Sequence, residues 1–233
     1  MITAKKILAL SIVLLVTMAM SVPALGVSEF LFLGNSKYVI GEVDAVGSVM
    51  EVYGIMTSVG GVSTPVPVDM DNYEYTVSIT GMVVTSSTNV PPTIKTVGYN
   101  GGEIIIYKDP IVGGTAADFA DTDTFIDGEQ ILLAMVDPGW TALLYDFDLD
   151  LFFAGSGNGS CDFYDGTQLM DLVTAEYYLD DWGFLGTPVA DANPPNVLVP
   201  DGFDRKFDVK LTPPNDPTTI EPGTWGQVKG LYR

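Results

Sequence analysis

Carboxylates are the one abundant chemistry-bearing group in this chain. There are 30 Asp and Glu against 10 Lys and Arg, no His at all, and a single cysteine, Cys161. Without imidazole there is no Ser–His–Asp or Cys–His nucleophile and no His-ligated zinc. One cysteine cannot build a thiolate metal centre or an intramolecular disulfide. No glycine-rich phosphate loop followed by a lysine is present, so nucleotide chemistry has no motif to rest on. Two chemistries remain within reach of acids alone. One is coordination of a hard cation by oxygen, and the other is glycoside hydrolysis by a carboxylate pair.

Two acidic groupings are candidates for cation binding. Asp118, Asp121, Asp123 and Asp127 fall in a polar stretch, where backbone carbonyls can join side chains around an ion such as Ca²⁺. Their spacing is not that of an EF-hand, because Phe125 occupies a ligand position and Gly128 is out of place. Asp146, Asp148 and Asp150 alternate with Phe147, Leu149 and Leu151, so a strand would put all three acids on one face. Like charges repeated along one strand face repel unless solvent or a cation screens them. The plain alternative for both groupings is a solvated, aggregation-resistant surface. For hydrolysis, Asp180-Asp181-Trp182 is the nearest arrangement of carboxylates beside a sugar-stacking aromatic.

The charge is also unevenly placed. The formal net charge is −20, and from Asp109 to Asp204 there is no Lys or Arg while 19 acidic residues occur. Such a chain repels polyanions, so nucleic acid is not an expected partner. A glycan or a surface or matrix protein is the expected partner class.

The elements that must position these groups are β-type. Lys5-Lys6, the apolar run Ile7–Met20 and the small residues of Ser21–Gly26 have the form of an export signal, with cleavage expected after Ala24 or Gly26. No second long apolar segment follows, so no transmembrane segment is expected after cleavage. A secreted or cell-surface location, extracellular or periplasmic, follows. Export with one cysteine fits a bacterial route better than a disulfide-rich one.

Beyond the signal, alternation predicts strands over Lys37–Val46, Val49–Met56, Asn72–Val84, Glu103–Lys108 and Phe203–Leu211. Asn100-Gly101-Gly102 reads as a hairpin turn, Gly81 as a bulge, and Gly155–Ser160 as a tight reversal between two strands. Asp180 to Pro195 reads as loop. Helical periodicity is almost absent.

Residues 1–26 are thus expected to be a signal peptide, 27–211 one β-domain, and 212–233 a Pro-rich linker with a short basic tail serving interaction or sorting. The expected fold is all-β, an antiparallel sandwich of jelly-roll or immunoglobulin-like type, with a barrel as the alternative. The expected function is a non-enzymatic, exported structural or binding protein stabilised by Ca²⁺ and requiring no other cofactor. A carbohydrate-binding module is the first alternative and a carboxylate-pair glycosidase the second.

Overall fold

A computed structural model describes residues 28–57, 63–90, 93–146, 153–190 and 199–214. The expected signal peptide, Asp148 and Asp150, and the tail from residue 215 lie outside the described residues. The strands in chain order are β1 (Phe30–Ile40), β2 (Val49–Met56), β3 (Tyr73–Val90), β4 (Ile94–Asn100), β5 (Glu103–Pro110), β6 (Glu129–Val136), β7 (Trp140–Asp146), β8 (Phe153–Asp165), β9 (Trp182–Ala190) and β10 (Arg205–Thr212). One short helix, α1 (Leu169–Thr174), lies between β8 and β9.

Pairing turns these ten strands into eight staves. β4 and β5 run in the same direction along β3, with Val83 opposite Asn100 and Thr80 opposite Glu103. They form one bent stave, interrupted at Gly101-Gly102. β6 and β7 likewise form one stave along β5 and β4, interrupted at Asp137-Pro138-Gly139. Each stave pairs antiparallel with the next in sequence, and β10 returns to pair with β1, Leu211 facing Phe30. The sheet therefore closes as an up-and-down barrel. Closure pairs the strand edges that an open sheet would leave free.

The all-β antiparallel expectation is met, in its barrel form. Alternation decides which side chains enter the lumen. On β10, Arg205, Phe207, Val209 and Leu211 are buried while Lys206, Asp208, Lys210 and Thr212 are half-buried. On β3, Tyr75, Val77 and Ile79 face in and join a single apolar core with side chains from the other staves.

Two tryptophans organise that core. Trp140 is fully buried, lies 5.3 Å from the rings of Tyr99 and Phe184, and donates its indole N–H to the Phe184 carbonyl at 3.1 Å. Trp182, also fully buried, stacks on Phe30 at 5.9 Å and meets Phe163 edge-on at 4.8 Å. Each such ring pair adds about 1 kcal/mol beyond the area it buries.

Several local expectations are corrected. Gly155–Ser160 is not a reversal but lies within β8. Its glycines are there because the Trp140 ring lies on bare backbone: a Cβ on Gly157 would sit 2.0 Å from Trp140 Cη2, and one on Gly159 2.6 Å from Trp140 Cδ1. Gly101-Gly102 is a kink within a stave, with φ of 67° and 111°, rather than a hairpin turn. Gly81, with φ of 76°, is a bulge as expected, sitting where β3 gains a residue relative to β2. The strand expected at Lys37–Val46 ends at Ile40, and its true start is Phe30. The stretch from Asp180 contains β9, whose turn-like Gly186 is required because Phe207 Cε1 lies 2.5 Å from where its Cβ would be.

Replacing Gly157 by Ala is expected to destabilise the protein by about 3 kcal/mol, since overpacking a filled core forces side chains off their rotamers. Adding Trp140→Phe should recover part of the loss. Urea unfolding of the two single variants and the double variant measures the coupling, and strict additivity would contradict the contact.

Candidate functional site

Three polar regions surround this apolar core. The first is at the barrel mouth, where β1 ends and β2 begins. The connecting loop 41–48 turns at Gly41 and Gly47, with φ of 81° and 89°, and is tied to β3 by Gly47 N–H donating to the Val84 carbonyl at 2.8 Å. Between them Asp44 takes φ of 58° and turns its carboxylate into the barrel. Polarity is inverted here: Asp44 is 2% exposed while its neighbours Val43 and Val46 are 44% and 66% exposed.

Asp44 enters because four donors await it. Arg205 occupies the first inward position of β10 and is itself 4% exposed. Its Nη1 and Nη2 donate to the two carboxylate oxygens at 2.7 and 2.6 Å. Lys95 Nζ donates to Oδ2 at 3.0 Å, and the Tyr38 hydroxyl donates to Oδ1 at 2.7 Å. The Tyr38 and Tyr99 hydroxyls are 2.8 Å apart, and Tyr99 packs on Trp140, so the polar mouth rests directly on the aromatic core.

Burial alone would raise the Asp44 carboxyl. The hydrogen bonds and charge of Arg205, with Tyr38 and Lys95, outweigh it and hold the group at about 2. Burial works against the Arg205 charge too, but Asp44 raises it above its ordinary value. Burial pushes the Tyr99 phenol up to about 12, and burial together with Tyr99 and Asp44 raises Tyr38 further.

The second region is on the outer wall. The kink at Asp137 in the β6–β7 stave and the register of β8 with its neighbours bring Asp137, Asp162 and Asp181 together. One carboxylate oxygen of each lies within 4.8 Å of the others, the only such group of three among the described residues. Asp162 accepts the Asp181 backbone N–H at 2.8 Å, and the Ser160 hydroxyl donates to Asp137. Asp181 adopts φ of 60°. No single spacing in the chain announces this trio. It follows from pairings such as Met135 with Asp162 and Cys161 with Trp182.

The sequence-selected acids are placed differently. Asp121 caps the 3₁₀ turn Thr122–Phe125 by accepting the Asp123 N–H at 3.2 Å, and Asp118 accepts the Ala120 N–H at 2.9 Å. Asp118 and Asp121 also form a short backbone bridge, so these two carboxylates shape the loop. Asp123 and Asp127 flank Phe125, which is fully buried and anchors the loop through its carbonyl to the Thr76 hydroxyl at 2.7 Å. Asp146 ends β7, and Asp148 and Asp150 lie outside the described residues. Trp182 faces the lumen, so Asp180-Asp181-Trp182 is not a carboxylate pair beside a sugar-stacking ring.

The third region is a groove of about 590 Å³ at the opposite end of the barrel, lined by Leu31, Thr57, Pro65, Val66 and Met70, with Glu29 at its side. Glu29 is engaged there by Lys210 in an ion pair.

Asp44→Asn is expected to lower stability at neutral pH by about 3 kcal/mol, the usual effect of unbalancing a buried ion pair. Because folding lowers the Asp44 pKa from 3.8 to about 2, the stability it confers is complete above pH 3.8 and is lost as pH falls towards about 2. Urea midpoints measured across that range should fall steeply for the natural protein and less steeply for the variant. Parallel pH profiles would contradict the assignment. Comparison of the chain with protein-family models, with curated proteins and with solved structures finds no match.

Proposed function

We propose that this protein is an exported, non-enzymatic β-barrel that acts outside the cell or at its surface in a structural or binding role, with its fold reinforced by Ca²⁺. The observation that carries the reading is the filled lumen. Trp140, Trp182, Tyr75, Tyr99 and several phenylalanines occupy the space where other barrels of this size hold a small ligand. Contacts with a partner then belong to the outer wall and the loops, which present a strongly acidic surface. Export is supported by the basic, apolar and small-residue order of the first 26 residues.

Calcium is supported by Asp137, Asp162 and Asp181. They cluster within the Asp109–Asp204 stretch, which carries no Lys or Arg to balance them. Three carboxylates provide about half of the six to eight oxygens the ion takes, and solvent can complete the shell. Among the described residues the carbohydrate-binding alternative would have to use exposed tyrosines such as Tyr164 and Tyr178, because Trp140 and Trp182 face inward.

Thermal unfolding in EDTA, in millimolar Ca²⁺ and in Mg²⁺ at matched ionic strength tests the calcium component. The expected result is a rise in Tm of several degrees with Ca²⁺ alone, by linkage, and loss of that rise in Asp162→Asn. An equal response to both ions would leave the acids as a solvated coat and overturn it.

A further inference from the structure

The barrel mouth carries an arrangement that goes beyond this reading. Arg205, Lys95 and Tyr38 direct four donors at one carboxylate, two of them from a single guanidinium in the bidentate geometry that suits carboxylates. These donors come from β10, β4 and β1, whereas the carboxylate they hold comes from a loop. The cluster contains two cations for one anion, although the chain as a whole has a formal charge of −20. The donors are therefore built into the wall, and the acceptor is delivered to them.

The delivering loop has the character of a cover. It is bounded by glycines at positive φ, Glu42, Val43 and Val46 face solvent, and Asp44 is held at a left-handed φ. We propose that Arg205, Lys95 and Tyr38 form a carboxylate-binding site at the barrel mouth, and that Asp44 occupies it as a tethered ligand on a displaceable strap, residues 41–48. The ligand class is a small monocarboxylate. An aspartate side chain is an acetate unit fixed to the backbone, so the site matches acetate in size and charge. The tether gives Asp44 a high effective concentration, which keeps the strap closed until a carboxylate competes with it.

Asp44→Gly is the suitable test. It removes an acetate-sized group and places at φ of 58° the one residue that adopts this conformation freely. The variant is unfolded thermally in sodium acetate and in sodium chloride at equal ionic strength and pH. The expected result is a saturable acetate-dependent rise in Tm of a few degrees, absent when Arg205→Met is added. In the natural protein, exchange of the Gly47 amide, read by hydrogen–deuterium exchange, is expected to speed up with acetate and not with chloride. If Asp44→Gly is unfolded in chloride, recovery of the fold on dilution into acetate supports the site. Failure in both salts overturns it, as does a folded variant that responds to the two salts alike. A Gly47 amide indifferent to acetate overturns the strap and makes Asp44 a permanent counter-ion.

Discussion

The contact on which the rest of this structure depends is the face of Trp140 laid against the bare backbone of β8 and β9. A closed eight-stave barrel has an interior of fixed width, and side chains must fill it to crystal-like density or leave costly voids. One indole cannot fit opposite two walls of branched side chains. It fits here because Gly157, Gly159 and Gly186 carry no Cβ where the ring lies, with hypothetical Cβ distances to the ring of 2.0, 2.6 and 3.0 Å. Trp140 then packs on Tyr99, Phe184 and Phe207, which couples β4, β9 and β10 across the lumen.

The polar mouth is a consequence of that filling. Tyr99 ends the aromatic cluster with a hydroxyl, and from there hydrogen bonds run through Tyr38 to Asp44 and on to Arg205 and Lys95. A buried arginine on the inward face of β10 would be very costly alone. Asp44 makes it tolerable, and removing either partner strands the other in a poorly solvated site. Such pairs contribute little net stability compared with apolar replacements, so this one is better understood as the latch that keeps loop 41–48 closed over the barrel mouth. The outer loops follow the same logic at lower cost. Phe125, Phe119 and Phe203 form an aromatic belt with Tyr53, and Lys37 lies over the Tyr53 and Phe203 rings.

Much of the strand content could be read from alternation, because one face of each stave is buried. Val49–Met56 matches β2 residue for residue, and the last strand is displaced by only two residues at its start. Closure could not be read, since sandwich and barrel share the same local pattern and differ only in whether β10 meets β1. Glycine misled in β8 because turn and close approach demand the same residue for different reasons. The acidic sites divide along the same line. Asp118 and Asp121 are close in sequence and serve the loop locally, whereas Asp137, Asp162 and Asp181 meet through cross-strand register. Asp44 gave no signal at all, lying among valines and glycines. The donors that Arg205, Lys95 and Tyr38 turn towards it explain it.

The lumen is solid and closed, and the lone thiol reports on it directly. Cys161 is fully buried in the core of β8, and burial raises its thiol well above the ordinary value. Its reaction with an excess of a water-soluble disulfide reagent can be followed at increasing urea without altering the protein. A sealed barrel predicts negligible modification in native buffer and a rate that rises with the population of the globally unfolded state. Rapid modification in native buffer, at a rate near that of an exposed thiol, would show an accessible lumen and contradict the account.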